Sequence, residues 1–599
     1  MVGHGEGWFA TLPDCEAALA VASRIGSRAT RVIKHPSGNP FILGEWETSV
    51  SVRNADGLSV TLIGHCSVDE QELGARISHL RDVDMIGRVI SQLPGDFHVV
   101  AAGNGEIRAQ GTAAGLRRLF YATAEGVTVA GNRSDVLAQL LNAPLDEEIL
   151  ALRLLDSVPH PLGDIPLWRG VHAVVPGEYL RIGRGGTRCV RWWEPPRTHI
   201  PLAEGAAVLR QALDEAVRVR LGIAEKISCD LSGGLDSTAI CSLAARAGAA
   251  PAALTMPSRD PGDDDMYWAR LAGAEIDGIE HIELGIDELP LFYSGLLEVT
   301  GPVDEPLPTI IDQPRQLAGH SELLARGSQL HLTGMGGDHV LWGHPAHYRD
   351  LLSANPLAAL RSIRGYRAQN RWSIRETLAV LTDRRPYGQW LADIAEQVTH
   401  PRPAPHSPDV FAWDVPPRLP SWVTSDAAGS VRDSLRKSAQ TATPRGATRA
   451  LHNELHTLHH GTRATRILHQ VAEHSGLPLA SPFFDDRVVE ACWSVRSEER
   501  TTPWEFKPLL KAAMRGCVPD ALLRRTTKGE ASADAANGLR ENRGRLVELW
   551  QESHLARLGL VDKERLVAAT LRPSSPELRH GGLDATLACE IWLRTIRTT

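Results

Sequence analysis

The segment Leu231-Ser232-Gly233-Gly234-Leu235-Asp236-Ser237 constrains this chain more than any other. It lies between a short buried-strand candidate, Lys226–Leu231, and a helical stretch, Thr238–Ala247. Two glycines let a backbone approach a ligand closely, and successive N–H groups at a helix start form a nest for an anion. Ser232 and Ser237 add hydroxyl donors for phosphate oxygens. Asp236 repels phosphate unless a cation lies between them, which predicts Mg²⁺. The turn lacks the Gly-Lys-Ser/Thr of a Walker A loop, so γ-phosphate transfer is disfavoured.

Strand and helix candidates alternate after this turn: Ala253–Met256, Met266–Ala274, His281–Leu284, Leu289–Val299 and Leu330–Thr333. That order predicts a parallel α/β sheet. At its far end Leu332-Thr333-Gly334-Met335-Gly336-Gly337-Asp338 repeats the pattern of strand end, glycines and carboxylate. Asp236 and Asp338 could then share Mg²⁺ across the crevice at the strands' carboxyl ends, although Asp338 alone also reads as a helix N-cap. The Ser-Gly-Gly-x-Asp-Ser turn resembles the pyrophosphate loop of ATP pyrophosphatases, which cleave ATP between its α- and β-phosphates. The resemblance implies ATP contacts from Leu231, Ser232, Gly233, Gly234, Asp236, Ser237, Thr333 and Gly334, with Met256 placed for a backbone contact to adenine. Asp263-Asp264-Asp265 reads as an acidic helix start.

The first two hundred residues have a different texture. Short apolar or alternating runs (Ser49–Val52, Ser59–Ile63, Phe97–Ala101, Gly126–Ala130, Tyr179–Ile182) are separated by turns such as Gly103-Asn104-Gly105, which predicts a layered antiparallel domain. With 599 residues the chain exceeds one core. The expected division is a β-rich domain over 1–195 and an α/β domain over 200–599, with a helical, Arg-rich insert at about 340–465. Within that insert the prolines between Pro401 and Pro420 suggest a spacer or a docking motif. A net charge of -8 speaks against a polymer-binding positive field, so no nucleic acid is expected. No apolar run is long enough for a bilayer, and the N-terminus is not a secretory signal, so no membrane is expected. Eight scattered cysteines without a CxxC pair point to a reducing cytoplasm.

Further motifs follow: Ser481-Pro482-Phe483-Phe484-Asp485-Asp486-Arg487, Lys507-Pro508-Leu509-Leu510-Lys511 and Arg524-Arg525-Thr526-Thr527-Lys528-Gly529. In this order, behind the two Gly-rich turns, they resemble the synthetase domain of the asparagine synthetase superfamily. Leu93-Pro94-Gly95-Asp96-Phe97 and Leu119-Phe120-Tyr121, followed by Val129-Ala130-Gly131-Asn132, resemble the same family's glutaminase-like (Ntn-type) domain. There the departures are chemical. Glutamine-using members carry a nucleophilic cysteine as the first mature residue, and this chain has Val2. Their Asn-Gly-Glu triplet is replaced by Gly64-His65-Cys66, and the Arg-Asp pair before Leu119 is missing. Asn104-Gly105-Glu106 falls too late and reads as a hairpin turn. The resemblance therefore implies a glutaminase fold without glutaminase activity.

Among relatives that find their amine elsewhere, the chain is most similar to the lasso-peptide macrolactam cyclases. These adenylate an Asp or Glu side chain of a ribosomal precursor peptide and capture it with that peptide's N-terminal amine, releasing AMP and pyrophosphate. An ammonia-dependent asparagine synthetase and a β-lactam-type synthetase remain the alternatives. The resemblance implies ATP and Mg²⁺ as cofactors, Asp236 and Asp338 as metal ligands, and Lys528 with Lys507 as catalytic lysines. The expected partners are the precursor peptide, a leader peptidase and a leader-recognition protein. Lysine itself is scarce here, seven residues beside 57 arginines, so two lysines in those motifs stand out. His452, His456, His459 and His460 share one helical face and are expected to be solvated or partner-facing.

Overall fold

The computed structural model describes residues 7–298, 301–307, 309–401, 407–529, 532–572, 578 and 582–598. Among them, the N-terminal region contributes β1 (Trp8–Thr11), β2 (Arg31–Lys34), β3 (Pro40–Glu45), β4 (Ser49–Arg53), β5 (Ser59–Cys66), β6 (Gly95–Gly103), β7 (Glu106–Gln110), β8 (Phe120–Ala124), β9 (Val127–Gly131), β10 (Val171–Ala173), β11 (Glu178–Gly183) and β12 (Gly186–Arg191). They form two six-stranded antiparallel sheets, ordered β10-β8-β9-β1-β3-β2 and β12-β11-β7-β6-β5-β4. Strand side chains alternate between faces, so β1 sends Phe9 into a core shared with Val100, Ala109 and Leu180 of the other sheet. Its neighbour Ala10 faces the opposite way, onto Ala18, Val21 and Ile25 of helix Glu16–Gly26. Helix Glu70–Ile77 covers the outer face of the second sheet through Leu73 and Ile77. The layered antiparallel domain is therefore present as two stacked sheets flanked by helices. Asn104 and Gly105, with φ of 54° and 76°, form the tight turn that joins β6 to β7.

The second sheet system is parallel: β13 (Ile227–Asp230), β14 (Ala252–Thr255), β15 (Glu280–Glu283), β16 (Leu330–Leu332) and β17 (Leu479–Ala480), in the order β15-β14-β13-β16-β17. The winding reverses at β13, where β14 lies on one side and β16 on the other, and this opens a crevice at the strands' carboxyl ends. Helices Leu202–Leu221 and Leu235–Arg246 cover one face through Leu209, Leu213 and Ile240. Helix Gln313–Ala325 covers the other, with Leu323 against Leu254 and Ile282.

The 340–465 stretch is mostly helical where described, with loops such as 412–424 between the helices. Helices Tyr387–Gln397 and Ser425–Ala439 bury Trp390, Leu391 and Val431 against the C-terminal helices' Trp550, Leu587 and Trp592. Of the Pro-rich segment, residues 402–406 lie outside the described residues, while Phe411, Leu419 and Trp422 are buried. The two sheet systems meet where the Asp486 carboxylate accepts hydrogen bonds from Ala113 N (2.9 Å) and Ala114 N (2.8 Å).

One expectation fails and another holds only in part. The Leu289–Val299 stretch is not a helix where described: Pro290 withholds a donor, Tyr293 and Gly295 adopt φ of 63° and 60°, and only Leu296–Glu298 makes a short 3₁₀ turn. Val299 lies outside the described residues. The histidine face is solvated only in part: His460 is exposed and His456 half-buried, while His452 and His459 are buried. Helix Arg449–His474 is packed on several sides, and His452 is fully buried with its ring 4.6 Å from that of Tyr387. Arg445 donates to it through its main-chain N (3.0 Å) and to buried His459 through Nη1 (2.8 Å), so both rings serve as neutral acceptors.

Candidate active site

The crevice holds a cavity of about 310 Å³. Of the residues expected to bind nucleotide or metal, Ser232, Gly234, Asp236, Ser237, Gly334, Asp338, Lys507 and Lys528 line it. The others sit behind that wall. The Leu231 side chain is in the core and its carbonyl accepts from Thr255 Oγ1 (2.6 Å). Buried Thr333 Oγ1 accepts from Met335 N (2.8 Å). Gly233 supports the turn from below, and Met256 follows β14 with its sulfur toward Gly319.

The turn leaves β13 and starts helix Leu235–Arg246, whose N-cap is Gly234, so no side chain caps the first N–H groups. Ser232 and Ser237 hydroxyls lie 2.9 Å apart. Gly233 has φ of 80°, and a Cβ there would stand 2.2 Å from the Asp265 carbonyl oxygen. Gly337 lets the second turn approach the first: a Cβ would stand 2.3 Å from the Asp236 carboxyl carbon.

The two carboxylates are joined by lysines. Lys507 Nζ bonds Asp236 Oδ2 and stands 2.7 Å from Asp338 Oδ1, while Lys528 Nζ donates to Asp338 Oδ2 at 3.0 Å. Lys507 is only 2% exposed and left-handed at φ 48°, a backbone strain of about 1–3 kcal/mol held by its surroundings. Burial raises the Asp236 pKa against the pull of Lys507. Asp338, also penalised by burial, is held down at about 2 because both lysines reach it.

Whether Mg²⁺ suits this site turns on the donor set. Asp236 Oδ1 is buried without a hydrogen-bond partner, beside the half-exposed Asp338 carboxylate. Among the described residues no group of three or more His, Cys, Asp or Glu is arranged to hold a metal. Two carboxylates fit Mg²⁺, which takes one or two of them and completes its shell with phosphate oxygens and water.

Arg525 was not foreseen, although its motif was: one arginine among 57 carries no signal of its own. Its guanidinium donates to the Gly233 carbonyl (2.9 Å), Asp264 (2.6 Å) and Asp265 (2.5 Å), and Thr527 adds a bond to Asp264 (2.6 Å). The acidic helix start thus anchors the segment that carries Lys528. Lys511 also lines the cavity, and lysine scarcity could have flagged it.

A second cavity of about 370 Å³ lies between the N-terminal domain and the synthetase half, lined by Gly64, His65, His98, Arg117, Asn132 and Glu473 among others. No described cysteine lines it. Burial raises the Cys66 thiol, the opposite of what a thiolate nucleophile needs. Val2 lies outside the described residues. All eight cysteines are free thiols, and no described helix is long and apolar enough to cross a membrane.

Residues 208–594 match the asparagine synthase family. Proteins provisionally named glutamine-hydrolysing asparagine synthetases in Mycobacterium bovis and Mycobacterium tuberculosis are each 28% identical over 262 residues, 40% of this chain. The match spans only 38% of those relatives' length. Among solved structures, a glutamine phosphoribosylpyrophosphate amidotransferase from B. subtilis complexed with ADP and GMP is similar at TM-score 0.23 and 13% identity, over 55% of this chain and 81% of that one.

Proposed function

Because the chain belongs to the asparagine synthase family, we propose that it is an ATP-dependent amide-forming ligase, specifically a macrolactam synthetase acting on a ribosomal precursor peptide to form a lasso peptide. The observation that carries the adenylation step is the convergence of Ser232, Asp236, Ser237, Asp338, Lys507 and Lys528 on one cavity. A side-chain carboxylate of the peptide attacks the α-phosphorus of ATP, the bond to the α,β-bridging oxygen breaks, and pyrophosphate leaves. The Gly-rich turn's amides with Ser232 and Ser237 hold the departing phosphates. Lys528, exposed at the cavity mouth, follows the charge as it moves. Mg²⁺, held by Asp236 and Asp338, would neutralise charge building on the phosphates. The peptide's N-terminal amine then attacks the acyl carbon, loses a proton and releases AMP. Holding that amine beside the acyl carbon is worth up to roughly 7–11 kcal/mol for ideal alignment.

The reading that the amine comes from the peptide is supported by the N-terminal domain, where Gly64-His65-Cys66 replaces the glutamine-binding triplet and burial keeps the Cys66 thiol protonated. The names of the mycobacterial relatives support the competing reading, amidation of free aspartate. Mass spectrometry separates them. With ATP, Mg²⁺ and a candidate precursor peptide freed of its leader, the expected product is lighter than the peptide by one water, with one AMP formed per ring. Asparagine from aspartate and ammonia, with no change in peptide mass, would overturn the proposal. A leader peptidase and a leader-recognition protein are the partners this reading requires.

A further inference from the structure

Beside the cavity mouth runs an exposed strip that the adenylation chemistry leaves unused. Helix Pro356–Asn370 buries Ala359, Ser362 and Ile363, while Leu357, Leu360, Arg361 and Arg364 stand on its outer face at i, i+3, i+4 and i+7. Leu357 is 81% exposed and Leu360 49%. The helix packs on the loop after Thr501, where Gln369 donates to the Pro503 carbonyl, and the Arg361 guanidinium lies 5.0 Å from the centre of the Trp504 ring. Trp504 is 58% exposed. Two residues on, Phe506 lines the cavity, with Lys507 and Lys528 against its ring. Exposed aromatic rings with cations against them therefore lie on one loop between the catalytic lysines and the helix, interrupted there only by Glu505. Apolar surface this exposed, beside a site, marks a contact surface.

Charge selects the occupant. The fifteen residues of this helix include three arginines and no acidic residue, and Arg371 follows them, in a protein whose net charge is -8. Glu505 is the acidic neighbour on the loop. We infer that this strip docks the acyl-donor peptide itself: an acidic segment with leucine-like or aromatic side chains, lying over Leu357, Leu360 and Trp504 while Arg361 and Arg364 meet its carboxylates. The inference rests on the macrolactam reading and adds to it the place where the peptide outside the reacting carboxylate is held. An exposed Trp504 beside Arg361 has the composition of a binding hot spot, and Leu357 and Leu360 add apolar area around it. Their effect belongs in peptide affinity, while nucleotide chemistry stays with Lys507 and Lys528.

The test uses the full chain and two fluorescein-labelled synthetic peptides with free N-termini. One is rich in Asp, Glu, Leu and Phe; the other has every Asp and Glu replaced by Asn or Gln. Fluorescence anisotropy is expected to show binding of the acidic peptide only, weakened by salt, and at least about tenfold weaker for Arg361→Glu/Arg364→Glu and for Trp504→Ala. Leu357→Glu/Leu360→Glu gives the same loss by an independent change of exposed residues. Equal affinity of wild-type and all three variants, or no binding by wild-type, overturns the docking surface. Peptide-stimulated pyrophosphate exchange in the same samples keeps the two ideas apart. Exchange with an unchanged peptide KM in the variants overturns the docking surface and leaves the ligase reading standing. Acidic-peptide binding at this strip with exchange stimulated only by free aspartate overturns the macrolactam reading and, with it, the acyl donor as the strip's occupant.

Discussion

Arg525 Nη1 donates to the main-chain carbonyl of Gly233 at 2.9 Å, a contact across 292 residues of sequence. It ties the segment that carries Lys528 to the underside of the Gly-rich turn, and the same guanidinium holds Asp264 and Asp265. An ammonium cannot span three acceptors in a plane. Arg525→Lys is therefore expected to lower kcat for pyrophosphate exchange by about ten- to a hundredfold, as misplacement of a catalytic group does. Unchanged kcat would show that the Lys528 segment orders itself without this tie.

Lys507 is the buried cation between two carboxylates, so Lys507→Met leaves Asp236 uncompensated. The expected loss is about 3–5 kcal/mol of stability, read as a lower urea midpoint. Mg²⁺ added without nucleotide should restore part of it if the carboxylate pair binds the ion. A stability equal to wild type would mean that the pair is neutralised some other way.

Lys528 is expected to behave differently, because it is largely exposed and its proposed role is to follow a moving charge. Lys528→Arg should fold with wild-type stability yet lose at least about a hundredfold in turnover, since a planar guanidinium cannot replace a compact ammonium there. Near-wild-type turnover would remove Lys528 from the mechanism.

The buried histidines set a pH limit. Burial holds His452 at about 2, His347 and His320 at about 4 and His469 at about 3, all below the ordinary value of 6.5. Their folded pKa is depressed, so the unfolded chain binds protons that the folded chain refuses. The stability they contribute is complete above about 6.5 and is lost as pH falls toward the folded values, by up to about 1.4 kcal/mol per pH unit for each ring. Urea unfolding at stepped pH should show a constant midpoint above neutrality and a steep decline below it. A flat profile down to mild acidity would contradict the burial of these rings as neutral groups.

The Asp486 carboxylate receives two main-chain N–H groups, from Ala113 and Ala114, at the contact between the halves. Asp486→Ala orphans both donors and is expected to cost about 1–3 kcal/mol. Limited proteolysis near residue 195 should then speed up, and unchanged proteolysis would count against a role in joining the halves.

Where the sequence was readable, the reason was local. The strand, turn and helix around Leu231–Ser237 follow from adjacent residues, and the Asn104-Gly105 hairpin from a turn pair whose left-handed geometry permits few alternatives. Lys507 and Lys528 came from ordered motifs, helped by lysine being rare enough to notice. Arg525 stayed hidden because the carbonyl and carboxylates it holds lie 260 to 292 residues away and arginine is everywhere. The histidine face was half legible for a related reason: a period of 3.6 shows that His452, His459 and exposed His460 share a side, but not that Tyr387, Trp413 and Arg445 cover His452 and His459. Leu289–Val299 is apolar enough for a helix, but Pro290 and the left-handed Tyr293 and Gly295 break its described part.

Adenylation of a peptide carboxylate is tested most directly by exchange of labelled pyrophosphate into ATP, with the acyl donor varied. Exchange is expected to be stimulated by a peptide that has a free N-terminus and an internal Asp or Glu, abolished when that residue becomes Asn or Gln, and absent with free aspartate. Exchange driven by free aspartate and indifferent to the peptide would contradict adenylation of the peptide.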